Sequence, residues 1–347
     1  MNAASATPGS MQALQIDAYG GPDVVVSREV AVPVPGPHDV LIRLAYSGIN
    51  FMDVYTRLGR YAGSNTKSGH YQSGLPLTLG IEGAGRIAAV GDRVHDWQVG
   101  DRVAYALARG SYAQYAVVPS RQIAGVPDRL GLDVAAATMF QGLTAHYLAH
   151  DIGLVARDRT CLIHSGAGGI GQLLIQLASN AGARVVATAS SDAKRAVART
   201  RGAELVASQD DDAFVAACRT MTEGRGVDIV FDSIGQAVFD GNLRSLARKG
   251  LFLHYGANSG AIGPIDPMRL ADSGSLYFTR PRLADYVADA ASVARRAGAI
   301  FAGLVDGSLT VDIADTVAFD DVGKAHRALE ERTAIGKSIL SIDPTIT

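Results

Sequence analysis

The sequence predicts an α/β protein of two domains, one β-rich and drawn from both ends of the chain, the other a doubly wound parallel sheet inserted between them. Three observations predict it. At 347 residues the chain exceeds what one compact core accommodates, so two domains are expected. Residues 11 to about 137 read as short strands broken by Gly and Pro turns, with no long helices between them. From Ala135 to Pro281 the text becomes strand, helix, strand, helix, and six strands with crossover helices make a doubly wound parallel sheet.

In the first part the strand candidates are Ala13–Ala18, Val24–Val30, Val40–Ser47, Ala84–Val90 and Arg102–Tyr105, with the Pro-rich stretch Val32–Pro37 forced into an extended connection. In the second part Thr160–His164 is a short apolar strand. Ile170–Ala181 has helical periodicity and stops at Gly182. Arg184–Ala189 is the next strand, followed by a helix from Asp192 to Arg201. Glu204–Ala207, Val227–Asp232, Gly250–Tyr255 and Ser275–Thr279 complete the six. After Pro281 the pattern predicts a long helix at Leu283–Asp306, a strand pair, a short helix at Val322–Glu330 and a last strand at Ser338–Ile342.

Composition narrows the function. Apolar residues at 48% and charged residues at 19% fit a folded enzyme rather than a disordered tail. A net charge of −2 without a basic run argues against nucleic acid, because phosphate binding needs a concentrated positive face. The two cysteines, Cys161 and Cys218, both sit in apolar segments, which argues against a disulfide framework and for a reducing compartment. The first residues have neither a basic nor an apolar signal region, and no apolar run is long enough for a bilayer. A cytoplasmic protein with no membrane partner is expected.

The strongest chemical signal is His164-Ser165-Gly166-Ala167-Gly168-Gly169-Ile170-Gly171, a G-x-G-x-x-G from Gly166 through Gly168 to Gly171. A buried strand leads in and an amphipathic helix leads out, which is the context a dinucleotide site requires. Glycine lets the backbone approach the pyrophosphate, and the helix N-terminus supplies free N–H groups. The next strand selects the cofactor. An NAD site ends it with an acid for the ribose hydroxyls, whereas here Ser190 stands there and Lys194 lies one turn further on. A serine hydroxyl and an ammonium suit the 2′-phosphate of NADPH. Asp192 is expected to cap the following helix.

No metal is expected. In Gly80-Ile81-Glu82-Gly83-Ala84-Gly85 isoleucine occupies the position of the ligand histidine in zinc alcohol dehydrogenases, and Glu82 is left as a turn or packing carboxylate. Neither cysteine lies where it could supply a thiolate. Hydride donation to an electrophilic acceptor, such as a quinone or an enone, remains straightforward, because the nicotinamide carries that chemistry.

Several stretches carry a family resemblance over residues 11–342. They are Ser47-Gly48-Ile49-Asn50-Phe51-Met52-Asp53-Val54-Tyr55, Gln141-Gly142-Leu143-Thr144-Ala145, the glycine turn, Val230-Phe231-Asp232-Ser233-Ile234-Gly235, Gly274-Ser275-Leu276-Tyr277-Phe278-Thr279-Arg280-Pro281, and the tail from Arg332 to Ile339. On these the chain resembles the quinone oxidoreductase branch of the medium-chain dehydrogenase/reductase superfamily, which includes zeta-crystallin. The resemblance implies a GroES-like catalytic domain (1–137 and 282–347) and a Rossmann domain (138–281), with the active site in the cleft between them. It implies that Asn50 and Tyr55, the candidate catalytic residues, line the nicotinamide end together with Asp53. Thr144 and Tyr147 would face the cofactor, while Gly166, Gly168, Gly169 and Ile170 would hold the pyrophosphate. Ser190 and Lys194 would hold the 2′-phosphate. Tyr255, Gly256, Asn258 and Phe278 would border the nicotinamide, Ser233 would be a further cofactor-binding residue, and Arg332 would be a second phosphate-region cation.

Plainer readings stay open: Tyr55 as a packing aromatic, Asn50 as a turn residue, Asp53 as an orienting carboxylate, and Arg332 as solvated surface. Three departures from the family pattern stand out. Ser208 replaces a tyrosine, Ala257 replaces a polar residue, and the segment Gly63–Leu75, with His70 and Tyr71, is longer and lies just after Tyr55. The expected activity is NADPH-dependent reduction of a quinone by direct hydride transfer. The alternatives are enone reduction or a non-enzymatic NADPH-binding role, and alcohol dehydrogenation is the weakest. A homodimer through an edge strand near Ser275–Thr279 is expected.

Overall fold

A computed structural model describes residues 7–62, 74–331 and 335–347. The chain divides into two compact units, one of Met1–Phe140, Val287–Val305 and Val311–Thr347, the other of Gln141–Tyr286 and Asp306–Thr310.

The first unit is β-rich. Its strands are β1 (Ser10–Ile16), β2 (Val26–Ala31), β3 (Asp39–Gly48), β4 (Leu77–Thr78), β5 (Glu82–Val90), β6 (Arg102–Ala106), β7 (Tyr115–Pro119) and β8 (Ile123–Gly125), with β15 (Ile313–Ala318) and β16 (Lys337–Ser341) from the C-terminal part. One sheet runs β2-β1-β4. The larger runs β15-β16-β3-β5-β6-β8, with β7 also on β3. Alternate residues of β3 and β6 point inward with Ile87 of β5, so Val40, Ile42, Leu44, Ile87, Val103 and Tyr105 form one core. Leu14, Ile16, Ile49, Tyr112, Val317, Val322 and Leu340 form another. The antiparallel pairing of Ile339 with Gly48 sets β16 beside the end of β3.

The second unit holds six parallel strands in the order β11-β10-β9-β12-β13-β14: β9 (Thr160–Ile163), β10 (Arg184–Thr188), β11 (Leu205–Ala207), β12 (Val227–Asp232), β13 (Leu246–His254) and β14 (Tyr277–Thr279). Strands covered on both faces read as continuous apolar runs, and all four residues of β9 are buried. The helices α3 (Gly169–Asn180), α4 (Asp192–Thr200), α5 (Asp211–Met221), α6 (Phe239–Ser245) and α7 (Pro267–Asp272) connect them. Leu162, Val186, Phe214, Val230 and Phe252 pack between sheet and helices. The strand order reverses between β9 and β12, the switch point where such sheets bind ligands.

Four expectations are corrected. The long helix is two, α8 (Leu283–Tyr286) and α9 (Ala290–Asp306), because the Asp289 carboxylate accepts the Ser292 N–H at 2.7 Å and starts a new helix. A single strand, β15, stands where a strand pair was expected before α10 (Val322–Glu330). The β-rich part contains the helix α1 (Phe51–Arg57) within the motif that follows β3. Strand β13 begins at Leu246, its register shifting against β12 before Leu251, with Lys249 at φ 60° in the irregular stretch. Helix α2 (Leu132–His146) continues into a π-turn at Tyr147–Ile152.

Candidate active site

The glycine turn lies at the carboxyl end of β9. The Gly166 N–H donates to the Thr188 carbonyl at 2.8 Å, and the Gly168 N–H closes the turn on the Ser165 carbonyl at 2.9 Å. A Cβ on Gly171 would sit 2.2 Å from that same carbonyl oxygen, and one on Gly169 would sit 1.8 Å from Gln141 Oε1. Only glycine lets α3 start this close to the turn. Gly168 caps α3 with no side-chain hydrogen bond, so the first-turn N–H groups of Gly169, Ile170 and Gly171 have no side-chain cap. That cradle fits a pyrophosphate.

Beyond β10, Ser190 is exposed and no acid ends the strand. Ser191, not Asp192, caps α4, its hydroxyl accepting the Lys194 N–H at 3.3 Å. Asp192 instead pairs with Arg195 at 2.5 Å, because at the first helical position its side chain faces along the helix toward the residue three positions on. Arg195, which also donates to the Ala189 carbonyl at 3.4 Å, is a further cation on the first turn of α4. The adjacent Lys194-Arg195 pair in the sequence was the available signal for it. A 2′-phosphorylated dinucleotide fits this donor set.

The loops after β12 and β13 are tied to the turn. Ser233 Oγ donates to Ser165 Oγ at 2.9 Å, and the Asn258 N–H donates to the Ser233 carbonyl at 3.1 Å. The Tyr255 and Gly256 N–H groups share the Asp232 carbonyl at 2.8 and 3.3 Å. A Cβ on Gly256 would approach the Ser233 carbonyl oxygen to 2.7 Å. The buried Asp232 carboxylate accepts the Ile234 N–H at 2.7 Å and meets His254 Nδ1 at 2.9 Å, which fixes the loop between them. Burial raises the Tyr255 phenol above its ordinary range. Phe278, on the edge strand, packs its ring on Phe252 at 5.1 Å. Thr144 is buried near the end of α2, and Tyr147, also buried, stacks on Tyr286 at 4.3 Å. Ser208 Oγ accepts the Asp210 N–H at 3.3 Å.

In the first unit, Asn50 caps α1 and its backbone N–H donates to Asp53 Oδ2 at 2.8 Å. Tyr112 donates its hydroxyl hydrogen to the same oxygen at 3.1 Å, and lies 3.2 Å from His326 Nε2. Asp53 is 1% exposed, and its Oδ1 has no partner. Desolvation therefore pushes its carboxyl up to about 7, against the pull of these hydrogen bonds and of Lys337. Burial, with Arg57 nearby, pushes His326 down to about 3.

Glu82, expected as a turn or packing carboxylate, is the centre of a fully buried network. Its Oε1 accepts from Lys337 Nζ and from Asn50 Nδ2 at 2.8 Å, and its Oε2 accepts the Phe140 N–H at 2.7 Å. Lys337 Nζ also donates to Asn50 Oδ1 at 2.7 Å. Sequence reasoning missed Lys337, because its partners lie on strands far away in the chain. Tyr55 stands apart on α1, with Phe51 at 6.0 Å, Tyr61 at 6.3 Å and the Arg60 guanidinium 4.6 Å from its ring centre. Arg332, His70 and Tyr71 lie outside the described residues.

A family model described as an alcohol dehydrogenase GroES-like domain matches residues 36–128, and one described as a zinc-binding dehydrogenase matches residues 169–300. The probable quinone oxidoreductase of Schizosaccharomyces pombe is 36% identical over 317 residues, covering 91% of this chain and 92% of that protein. The chain belongs to the quinone oxidoreductase branch of the medium-chain dehydrogenase/reductase superfamily. It is therefore an oxidoreductase. The structure of the Escherichia coli quinone oxidoreductase complexed with NADPH is similar at a TM-score of 0.89 and 30% identity, covering 95% of this chain and all of that one. The 2-haloacrylate reductase of a Burkholderia species is 33% identical over 334 residues, covering 95% of this chain and 98% of that protein. Among the described residues, no group of three or more His, Cys, Asp or Glu could hold a metal ion. No helix among them is long and apolar enough to cross a membrane.

Proposed function

We propose that this chain is an NADPH:quinone oxidoreductase that transfers hydride directly to a quinone with no metal in the step. The observation that carries the cofactor half is the end of β10, where Ser190 replaces an acid and the cationic side chains of Lys194 and Arg195 follow on α4. A carboxylate there would repel a 2′-phosphate, whereas a hydroxyl and cations attract it. The glycine cradle of Gly166, Gly168, Gly169 and Ile170 would take the pyrophosphate on backbone N–H groups. Tyr255, Gly256, Asn258 and Phe278 would border the nicotinamide, with Thr144 and Tyr147 facing the cofactor, Ser233 as a further cofactor-binding residue and Arg332 as a further cation. NADPH supplies the hydride when bound. Asn50 and Tyr55 would act at the reacting end, with Asp53 holding the Asn50 loop through its backbone N–H.

Quinone as acceptor is supported by the relatives that carry that name. A second reading, reduction of a conjugated carbon–carbon double bond, is supported by the 2-haloacrylate reductase at 33% identity. The edge strand β14, with Tyr277 63% exposed, supports a homodimer joined along that edge. Two buried, unpaired cysteines support a cytoplasmic setting. NADPH oxidation followed with 1,4-benzoquinone, 9,10-phenanthrenequinone and a linear enone side by side tests the acceptor. Turnover with the quinones supports the proposal, and turnover with the enone alone moves the substrate to the second reading. Tight NADPH binding with no turnover overturns both in favour of a binding role.

A further inference from the structure

The pair Lys337 and Glu82 is an expensive thing to bury. Their side chains are 1% and 0% exposed, and taking an ammonium and a carboxylate out of water costs several kcal/mol each in real proteins. A well-packed apolar pair of the same volume stabilises a fold at least as well, so stability alone does not account for them. Their contacts show what they do hold. Apart from each other and the Phe140 N–H, the polar group they share is the carboxamide of Asn50. An ammonium can only donate and a carboxylate can only accept. Asn50 Oδ1 must therefore face Lys337, and Asn50 Nδ2 must face Glu82. The flipped amide would set NH2 against NH3+ and a carbonyl against a carboxylate.

The backbone is arranged around this lock. Strand β3 runs between β16, which begins with Lys337, and β5, which begins with Glu82, and Asn50 follows β3 by two residues. Gly48, at the end of β3, is the residue that leaves room. A Cβ there would lie 2.0 Å from Glu82 Oε1 and 2.4 Å from its carboxyl carbon. Ser47 Oγ anchors the start of β5 by donating to the Glu82 carbonyl at 2.8 Å.

We propose that Lys337 is a positioning residue of the reductase: with Glu82, and with the Gly48 carbonyl that accepts from Asn50 Nδ2 at 3.4 Å, it locks the Asn50 carboxamide in one orientation, so that Asn50 presents the remaining lone pair of Oδ1 to the reacting end of the cofactor. This rests on the reading that Asn50 works at that end. Lys337 touches neither cofactor nor acceptor and acts through Asn50.

Truncating Lys337 alone strands the Glu82 carboxylate in the interior, so the test removes both charges together. The double variant Lys337→Met/Glu82→Gln keeps the volumes and removes both charges of the pair, while freeing the Asn50 amide to flip. The Kd for NADPH is read from nicotinamide fluorescence for wild type, Asn50→Ala, the double variant and the triple combination, with thermal melts run in parallel. We expect the double variant to melt cooperatively and its Kd to rise about tenfold, as Asn50→Ala does, with no further rise in the triple variant. A folded double variant with wild-type Kd overturns the proposal. So do losses that add in the triple variant, and so does a double variant that fails to fold while Lys337→Arg leaves the Kd unchanged and Glu82→Asp, which shortens the carboxylate away from Asn50, leaves it unchanged too. Because the readout is binding, it stands whichever acceptor is turned over, and a chain without quinone activity would fail the functional proposal alone.

Discussion

Replacing Asp53 with Asn should flatten the alkaline side of the stability profile. Asp53 is buried, accepts from the Asn50 N–H and the Tyr112 hydroxyl on one oxygen, and has an unpartnered second oxygen. Burial raises it, Glu82 adds repulsion, and Lys337 opposes both, leaving the carboxyl near 7 instead of 3.8. The folded state then keeps a proton that the unfolded chain releases, so stability falls as pH rises from about 4 to about 7. The full loss above both values is about 4 kcal/mol, of which about 2.5 kcal/mol falls between about pH 5 and about pH 8. His326 acts in the opposite window. Its imidazole stays neutral in the fold down to about 3, while the unfolded chain takes up a proton below about 6.5, so stability falls as pH drops through that range. Asn at position 53 keeps both acceptor contacts but cannot ionise. Its NH2 on the unpartnered side adds a pH-independent cost, so the slope, not the absolute stability, is the readout. Urea melts of wild type and Asp53→Asn at about pH 5, 6.5 and 8 should show the wild type losing about 2.5 kcal/mol more than the variant between the extremes. The remaining loss of about 1.5 kcal/mol should fall between about pH 3 and about pH 5, so the two acid limbs should become parallel only below about pH 3.5. Parallel slopes across the range would mean that Asp53 is ionised in the fold, and the burial argument would fail.

Three further outcomes follow from the geometry. Gly171→Ala puts a methyl 2.2 Å from the Ser165 carbonyl oxygen, a backbone atom that cannot step aside, so the turn must open. A fluorescence titration should show NADPH affinity at least about tenfold weaker, and melting should show a cost of about 1–3 kcal/mol. Ser190→Asp returns an acid to the end of β10 and should lower kcat/KM for NADPH by about a hundredfold while sparing NADH. An unchanged cofactor ratio would remove Ser190 from the phosphate site. Tyr277→Asp, on the exposed edge strand, should shift the protein toward monomer on size exclusion with its melting temperature little changed, whereas an unaltered elution volume would place any dimer contact elsewhere.

Much of the fold was legible because the second unit repeats a local signal. Each of its strands is a short apolar run, and most are followed by a periodic helix with a glycine stop or a polar cap, so six strands could be counted without knowing their order. The glycine turn was legible for the same reason: strand, turn and helix are contiguous. What escaped was either subtle local chemistry or long-range pairing. Ser191 and Asp192 are both good caps, and only the backbone geometry shows that Ser191 takes the role. The break before α9 hangs on one carboxylate, Asp289, inside an otherwise helical pattern. Glu82 read as a bland turn residue because its partner Lys337 lies 255 positions away, and the two meet only through the register of β16 and β5 on either side of β3. Asn50 and Asp53 could be singled out from their motif, but the groups that orient them could not.

Cofactor and acceptor are tested together by kcat/KM for NADPH against NADH at saturating 9,10-phenanthrenequinone. Quinone-dependent turnover with a preference of at least about tenfold for NADPH is expected, from Ser190, Lys194 and Arg195 at the end of β10. Equal rates with the two cofactors, or a preference for NADH, would contradict it.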